Sequence, residues 1–488
     1  MTHLPPNPAQ LPANPANLPR RDFLKSILAA GAASTVSIIT SKNLLAAPKP
    51  DKTAKPRTGP KVRLACIGLA NRGVDDIKNF ADTGLAEIVA LCDTNAKVKP
   101  PLKTLEGVPR FQDFRQMFDK MGKQIDAVCI AIPDFSHFPA AILAMSLGKH
   151  VYVEKPLAHT FHQIDLLMAA EKKYKVVTQM GNQGHSEGNF FQFRTWTDAG
   201  IIKNVTRIDA FMNNARRWHD AETLKKYKIA YSKLTGYLPE QPIPPGLDWN
   251  VWLTVALDHK YNKGYTPEEW RSWYDFGNGV LGDWGAHIFD TAHQFLDLGL
   301  PESIDAKLEG HNPFVFPQAT TLAFRFPKRG AMPPLTLTWY DGADNKPPLP
   351  PEMPATTNDG EPIRLSPGKF IYGEGLTFKG GAHGSTLQII PATKAREMAA
   401  QLPVVPKSSS NHWKNFLLSC LGEEKPRSPF SVAGPLCQMM ALGIIAQRLN
   451  AANLKFDRAT RQFTNNDAAN KLLNDVTPRK GWEQFYKL

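Results

Sequence analysis

The chain has 488 residues, enough for two or three domains with cores of their own. Its 58 Lys and Arg exceed its 45 Asp and Glu by 13, spread along the chain in pairs such as Lys172-Lys173 and Lys225-Lys226. No basic run is interleaved with aromatics, so the composition argues against a nucleic-acid groove and for solvated surface charge.

Residues 1–47 read as an address. Arg20-Arg21-Asp22-Phe23-Leu24-Lys25 is followed by the apolar, small-residue run Ile27 to Ile39, and Ala46-Ala47 offers a cleavage point. This resembles a twin-arginine export signal behind a Pro-rich leader, which implies a periplasmic or otherwise exported protein that travels folded. The run is too short and too rich in Ala, Gly and Ser to span a bilayer, so no membrane span is expected in the mature form. Residues 48–60, rich in Lys and Pro, form a linker.

From 61 to 180 strand and helix alternate. The expected strands are Val62–Ile67, Glu87–Cys92, Ala127–Ile132, His150–Val153 and Val176–Gln179, with helices over Val74–Ala81, Phe114–Lys120, Ala140–Leu147 and Ile164–Lys173. Apolar strands in short βα units predict a parallel, doubly wound α/β sheet. The first strand runs into Gly68-Leu69-Ala70-Asn71-Arg72-Gly73, a Gly-x-Ala-x-x-Gly turn that opens a helix and exposes backbone N–H groups to a pyrophosphate. By itself this also fits an ordinary strand-to-helix turn. Asp93 ends the second strand about 20 residues later, where a carboxylate accepts ribose hydroxyls and repels a 2′-phosphate. NAD is therefore favoured, with NADP left open by Arg72. Pro133-Asp134-Phe135-Ser136-His137 follows a third strand, and His137 reads either as a ribose neighbour or as a local cap. Glu154-Lys155-Pro156 follows a fourth and places Lys155 at the ligand edge of the sheet. The fifth ends in Met180-Gly181-Asn182-Gln183-Gly184-His185-Ser186; Asn182 and Gln183 are candidates for nicotinamide or substrate contact, and His185 for substrate or for a structural role.

Residues 181–455 change texture and predict a substrate and oligomerisation domain. Strands are expected at Val205–Met212, Ser303–Leu308, Thr320–Phe326, Leu335–Tyr340, Leu376–Lys379 and Gln388–Pro391, in an open and mainly antiparallel sheet. Gly342 to Gly368 is Pro-rich and polar and reads as a long surface loop or an oligomer contact, and Trp413–Leu421 and Val432–Leu449 are closing helices. Residues 456–488 are a polar tail. Among the Arg and Trp residues ahead of Gly282, Trp218, Arg271 and Trp273 are singled out as pocket candidates. Asp283 and His287 stand at i and i+4 on one helix face, where a carboxylate can orient and activate an imidazole. Alone, that spacing equally fits a surface ion pair or a core histidine. The five cysteines read as buried thiols, with a Cys420–Cys437 disulfide open but not required, and no Cys/His spacing suggests a metal.

Glu154-Lys155-Pro156 with Asp283-x-x-x-His287 downstream of a dinucleotide fold resembles the glucose–fructose oxidoreductase/inositol dehydrogenase (Gfo/Idh/MocA) family, from about Lys61 to Leu449. The resemblance implies that Lys155 binds the reacting hydroxyl, His287 exchanges its proton and Asp283 positions substrate and histidine. It also implies a nicotinamide in the first domain, a sugar or cyclitol substrate, and dimers or tetramers through the open sheet. The leading expectation is a carbohydrate oxidoreductase with tightly held cofactor. A redox-neutral glycosidase working through a transient 3-keto sugar is the alternative, and a non-catalytic sugar-binding protein a third reading.

Overall fold

In the computed structural model the described residues are 60–214, 216–217, 225, 236–266, 269–357, 359–474 and 477–487. The apolar runs of the first half are buried on both faces and pair in parallel: β1 (Val62–Ile67), β2 (Ala86–Cys92), β3 (Arg110–Phe111), β4 (Ala127–Ile130), β5 (His150–Val153) and β6 (Thr178–Met180), in the order β3-β2-β1-β4-β5-β6. The order reverses between β1 and β4, so a crevice opens at the carboxyl ends of those strands. The helix after β4 begins at Asp134, before Pro139, and runs to Ser146, so the Pro133–His137 segment is largely helical.

The second half forms a nine-stranded sheet from β7 (Arg207–Met212), β8 (Ser303–Glu309), β9 (Ala319–Phe326), β10 (Leu335–Asp341), β11 (Gly368–Tyr372), β12 (Thr377–Gly381), β13 (Gln388–Ile390), β14 (Leu454–Asp457) and β15 (Gln462–Phe463). It is mixed, because β7 and β10 pair in parallel while the other pairs are antiparallel. Its inner face packs on the helices Gly279–Ile288 and Phe430–Leu449, with the Phe289 and Trp339 rings 5.3 Å apart. The Phe430–Leu449 helix is long and apolar enough to cross a membrane by length and composition, but here it is a buried core helix. The Pro-rich loop after β10 ties back to the sheet through Asn345, bonded to Thr320 and Asp341 carbonyls, and through Glu352, which accepts from Thr377.

The chain returns to the first sheet at its end. Phe416 and Leu417, on the helix His412–Cys420, share a core with Leu64, Cys66 and Tyr152. Trp482 and Phe485 lie 6.0 and 6.3 Å from the Phe114 ring, and Gln163 donates to the Tyr486 hydroxyl at 2.7 Å. All five cysteines are free thiols.

Candidate active site

Sterics explain the glycines of the first turn. Gly68 has φ +93°, and a Cβ there would sit 2.1 Å from the Ala131 carbonyl oxygen; at Gly73 one would sit 2.2 Å from the Gly68 oxygen. Ala70 is exposed, so its methyl leaves this approach open. The Asp93 carboxylate accepts from the Leu69 and Asn95 backbone N–H groups at 3.0 and 2.9 Å, fixed at the end of β2. Burial raises its pKa. A cleft of about 440 Å³ runs from Gly68, Asn71 and Arg72 past Asp93 and Gln112 to Pro133, Asp134 and Lys155. The positive-φ glycine, the anchored carboxylate and the cleft along the strand ends fit a dinucleotide.

A strap from the second half borders this cleft, with Pro244 and Leu247 in its lining. Leu247 forms a β-bridge with Asn95, Ala96 N–H donates to the Gly246 carbonyl at 2.9 Å, and Asp248 N–H donates to the Thr94 carbonyl at 2.9 Å. The Gln112 amide donates to both the Thr94 and Gly246 carbonyls, at 2.8 and 2.9 Å. Behind the bridge, Trp249, Trp252, Tyr261, Tyr265, Trp270, Trp273 and Phe276 form an aromatic core that also grips Phe135.

At the inner end, Lys155 Nζ donates to both the carboxylate and the backbone carbonyl of Asp283, each at 2.6 Å. Arg216 Nε lies 3.2 Å and Arg271 3.7 Å from the same carboxylate. Burial works against ionisation of Asp283, yet Lys155, Arg271 and Arg216 hold it well below the usual carboxylate range. Arg271 also reaches Asp134 at 3.4 Å, and Asp134, 2% exposed, is pushed up to about 7 by burial. His287 lies one turn on from Asp283 and, among the described residues, makes no hydrogen bond. Burial, Lys155 and His383 push its pKa well below the ordinary value, so the ring is neutral. The exposed ring of His383, from the turn between β12 and β13, lies 5.0 Å from the His287 ring.

Residues 62–182 match the description "Oxidoreductase family, NAD-binding Rossmann fold", and residues 219–313 match "Oxidoreductase family, C-terminal alpha/beta domain", both of the Gfo/Idh/MocA group. Two stretches of the chain thus resemble the Gfo/Idh/MocA family. The first domain is an NAD-binding Rossmann domain. Among curated proteins it is 31% identical over 225 residues to a glycosyl hydrolase family 109 protein of Shewanella pealeana, covering 42% of this chain and 48% of that protein. It is 32% identical over 229 residues to glycosyl hydrolase family 109 protein 1 of Shewanella sp. strain ANA-3, with the same two coverages of 42% and 48%. The chain spans about half the length of the curated relatives it matches. Among solved structures, the Bordetella pertussis WlbA dehydrogenase in complex with NADH and UDP-GlcNAcA is 16% identical, with TM-score 0.53 over 81% of this chain and 99% of that one. Levoglucosan dehydrogenase in complex with NADH and levoglucosan is 14% identical, with TM-score 0.54 over 81% and 99%. At these identities the structural likeness is one of fold.

Against this Gfo/Idh/MocA frame the sequence candidates separate. Gly68, Ala70, Asn71, Arg72, Asp93, Pro133, His137, Glu154, Lys155 and Arg271 all line the cleft, and Gly73 packs under its first turn. Several of them are already engaged. Arg72 is spent on Glu154 at 3.0 Å and Asp76 at 3.1 Å, so it is not held ready for a 2′-phosphate. Glu154 is also bonded by Gln183 at 2.9 Å, which makes Gln183 a brace. His137 links the Pro156 and Ile132 carbonyls, both at 2.8 Å, and so ties the lysine loop to the end of β4.

Gln183, Asp283 and His287 are not among the residues that line the cleft, and Asn182, His185 and Trp273 are committed elsewhere. His185 spends one nitrogen on the Asp290 carboxylate and the other on Gln294, each at 2.7 Å, and Asn182 donates to Asp290 at 2.8 Å. Both are fully buried because β6 ends in a tight turn tucked against the helix Asp290–Phe295. Trp273 is wholly buried in the aromatic core behind the strap. Trp218 lies outside the described residues. Asp134, Arg216, His383 and the strap were not singled out by sequence. Only the glycine-flanked setting of His383, Gly380-Gly381-Ala382-His383-Gly384, hints at a turn that presents a side chain.

Proposed function

We propose that the protein oxidises a secondary hydroxyl of a carbohydrate with an NAD that stays bound between turnovers. The observation that carries this reading is the Lys155 ammonium, held by Asp283 at 2.6 Å beside the neutral His287 at the inner end of the cofactor cleft. A neutral imidazole can accept the hydroxyl proton, while the ammonium offsets charge building on the oxygen. Asp283 stays ionised and aims Lys155. Bound NAD supplies the hydride acceptor. Gly68, Asn71 and Asp93 would hold its pyrophosphate and ribose, and the strap would exclude water from its adenosine end. The sugar ligands named for the two solved dehydrogenases support a carbohydrate substrate.

A second, redox-neutral outcome has its own support. The curated relatives are named as glycosyl hydrolases, and a cofactor strapped in place suits a cycle that returns its own hydride. In that cycle the ketone acidifies the neighbouring C–H bond, the aglycone is eliminated, water adds, and the ketone is reduced again.

The test uses protein purified without added cofactor and mixed with sugars and aryl glycosides. Near-UV absorbance follows reduction of bound NAD, and aglycone release is followed alongside. Lasting reduction is expected of a dehydrogenase, and steady aglycone release without net reduction of the glycosidase. Lys155→Ala and His287→Ala should each slow sugar oxidation by about 10²–10⁴-fold with NAD still bound. Full activity in both variants would remove these residues from the chemistry.

A further inference from the structure

We infer that His383 is a second catalytic base, which takes the proton from the carbon beside the newly formed ketone. The inference rests on the proposed sugar oxidation and deepens it in its redox-neutral form. Two proton transfers are then needed on adjacent ring positions, one from the C3 hydroxyl and one from C2, and a single imidazole aligned on the hydroxyl is poorly placed for both.

The structure offers a pair. The His287 and His383 rings are 5.0 Å apart at 50°, and the Trp284 ring stands edge-on to them at 5.9 and 5.0 Å. His287 is buried beside Lys155, as the hydroxyl base must be, whereas His383 is exposed and takes no hydrogen bond among the described residues. Its turn is nonetheless fixed. Gly384 packs so closely on Gly184 and Glu187 that a Cβ would meet them at 2.8 and 2.3 Å, and its carbonyl accepts from Asn189 N–H at 2.9 Å. Other side chains that could take this proton are unavailable: His185 is bonded to Asp290 and Gln294, His137 to two carbonyls, and Tyr274 is buried against Phe316. His383 also lies outside both stretches that match the family models.

With C3 oxidised, His383 accepts the C2 proton, and the C2–H electron pair becomes the C1–C2 double bond. The C1–O bond breaks, its electrons leave with the aglycone oxygen, and that oxygen takes a proton from the medium. Water then adds at C1 and gives up one proton to the medium, the proton on His383 returns to C2, and C3 takes back the lent hydride while its oxygen takes back the proton held by His287. The sum is hydrolysis with no net redox change.

The experiment compares wild-type holoenzyme with His383→Asn and His383→Gln, each checked for bound NAD, using an aryl glycoside in D2O. Wild type should release aglycone and give sugar carrying deuterium at C2. Both variants should still reduce bound NAD on mixing, while aglycone release and C2 deuteration fall about 10²–10⁴-fold. Release and deuteration at the wild-type rate in either variant would overturn the assignment. So would loss of NAD reduction in both with cofactor retained, because His383 would then serve the oxidation. A wild type that reduces NAD but never exchanges C2 would overturn it too. No NAD reduction by any sugar and no aglycone release in wild type would instead sink the underlying functional reading.

Discussion

Asp283 and His287 share a helix face, yet the carboxylate turns to Lys155 and leaves the imidazole without a hydrogen bond among the described residues. Spacing within one helix shows which residues are neighbours, but not which cation arrives from another element to compete. Lys155 comes from the end of β5, Arg271 from the turn behind the strap and Arg216 from beyond β7, and together they outweigh a neutral ring. The consequence is a pH dependence. His287 must be unprotonated to accept a proton, and its pKa is pushed well below 6.5 by burial and by Lys155. Its ionisation therefore leaves the rate of sugar oxidation flat from about pH 6.5 upward, with the fall confined to more acid solution. Stopped-flow reduction of bound NAD against pH checks this. A limb near neutrality that disappears in Asp134→Asn would point instead to Asp134, the carboxyl pushed up to about 7 in the same cleft. The same logic decides the cofactor phosphate. From sequence Arg72 is a free cation beside the glycine turn; in the fold it is paired with Glu154 and Asp76, which leaves Asp93 to favour NAD.

The strap is where elements were hardest to read. Its aromatics are visible in the sequence, and several line or back the cleft, but a short backbone bridge between Leu247 and Asn95 leaves no pattern of hydrophobic periodicity. Gly246 is the local clue: at φ +94° it takes a conformation that few other residues tolerate, and its carbonyl is the acceptor for both Ala96 and Gln112. The bridge lies beside Asp93 and Thr94, so its opening is expected to speed the departure of a dinucleotide lying along them. Gln112→Ala removes two amide bonds to the bridge, each worth about 1 kcal/mol net. NAD release should then speed up by about tenfold or more, while the reduction step at the far end of the cleft keeps its rate. Trapping of released cofactor over time measures the first, and single-turnover reduction the second. Unchanged release would mean that the strap covers the cleft without gating it.

At the scale of the whole molecule, the parallel sheet was legible because its strands are buried on both faces and alternate with helices at regular spacing. The two-residue strands β3 and β15 carry too little pattern to register, and the parallel β7–β10 pair depends on a connection through more than a hundred residues. Least legible was how the chain's end completes its beginning. Trp413 donates to the buried Asp76 at 2.9 Å, Phe416 and Leu417 fill the core beneath β1, and Trp482 packs on Phe114 with the Arg115 guanidinium 4.2 Å from its ring. Such long-range packing depends on which apolar faces meet, and no local signal encodes that.

The same interlocking bears on where the protein acts. The core under the NAD turn takes in Phe416 and Leu417, and Trp482 and Phe485 pack on Phe114 beside the cleft, so two late segments complete the surroundings of the cofactor site. A protein built this way and provided with NAD in the cytoplasm would, if exported, have to cross the membrane already folded or arrive without its cofactor. We propose the first course, on the strength of the Arg20-Arg21 leader, which lies outside the described residues. Replacing both arginines by lysine should then leave full-length, NAD-loaded protein in the cytoplasm, whereas the wild type yields a shortened, NAD-loaded protein outside it. Fractionation, intact mass and cofactor released on denaturation read all three properties. Equal export of both forms would rule out the twin-arginine route. Exported wild type that lacks NAD would break the link between a cofactor site completed by late segments and passage in the folded state.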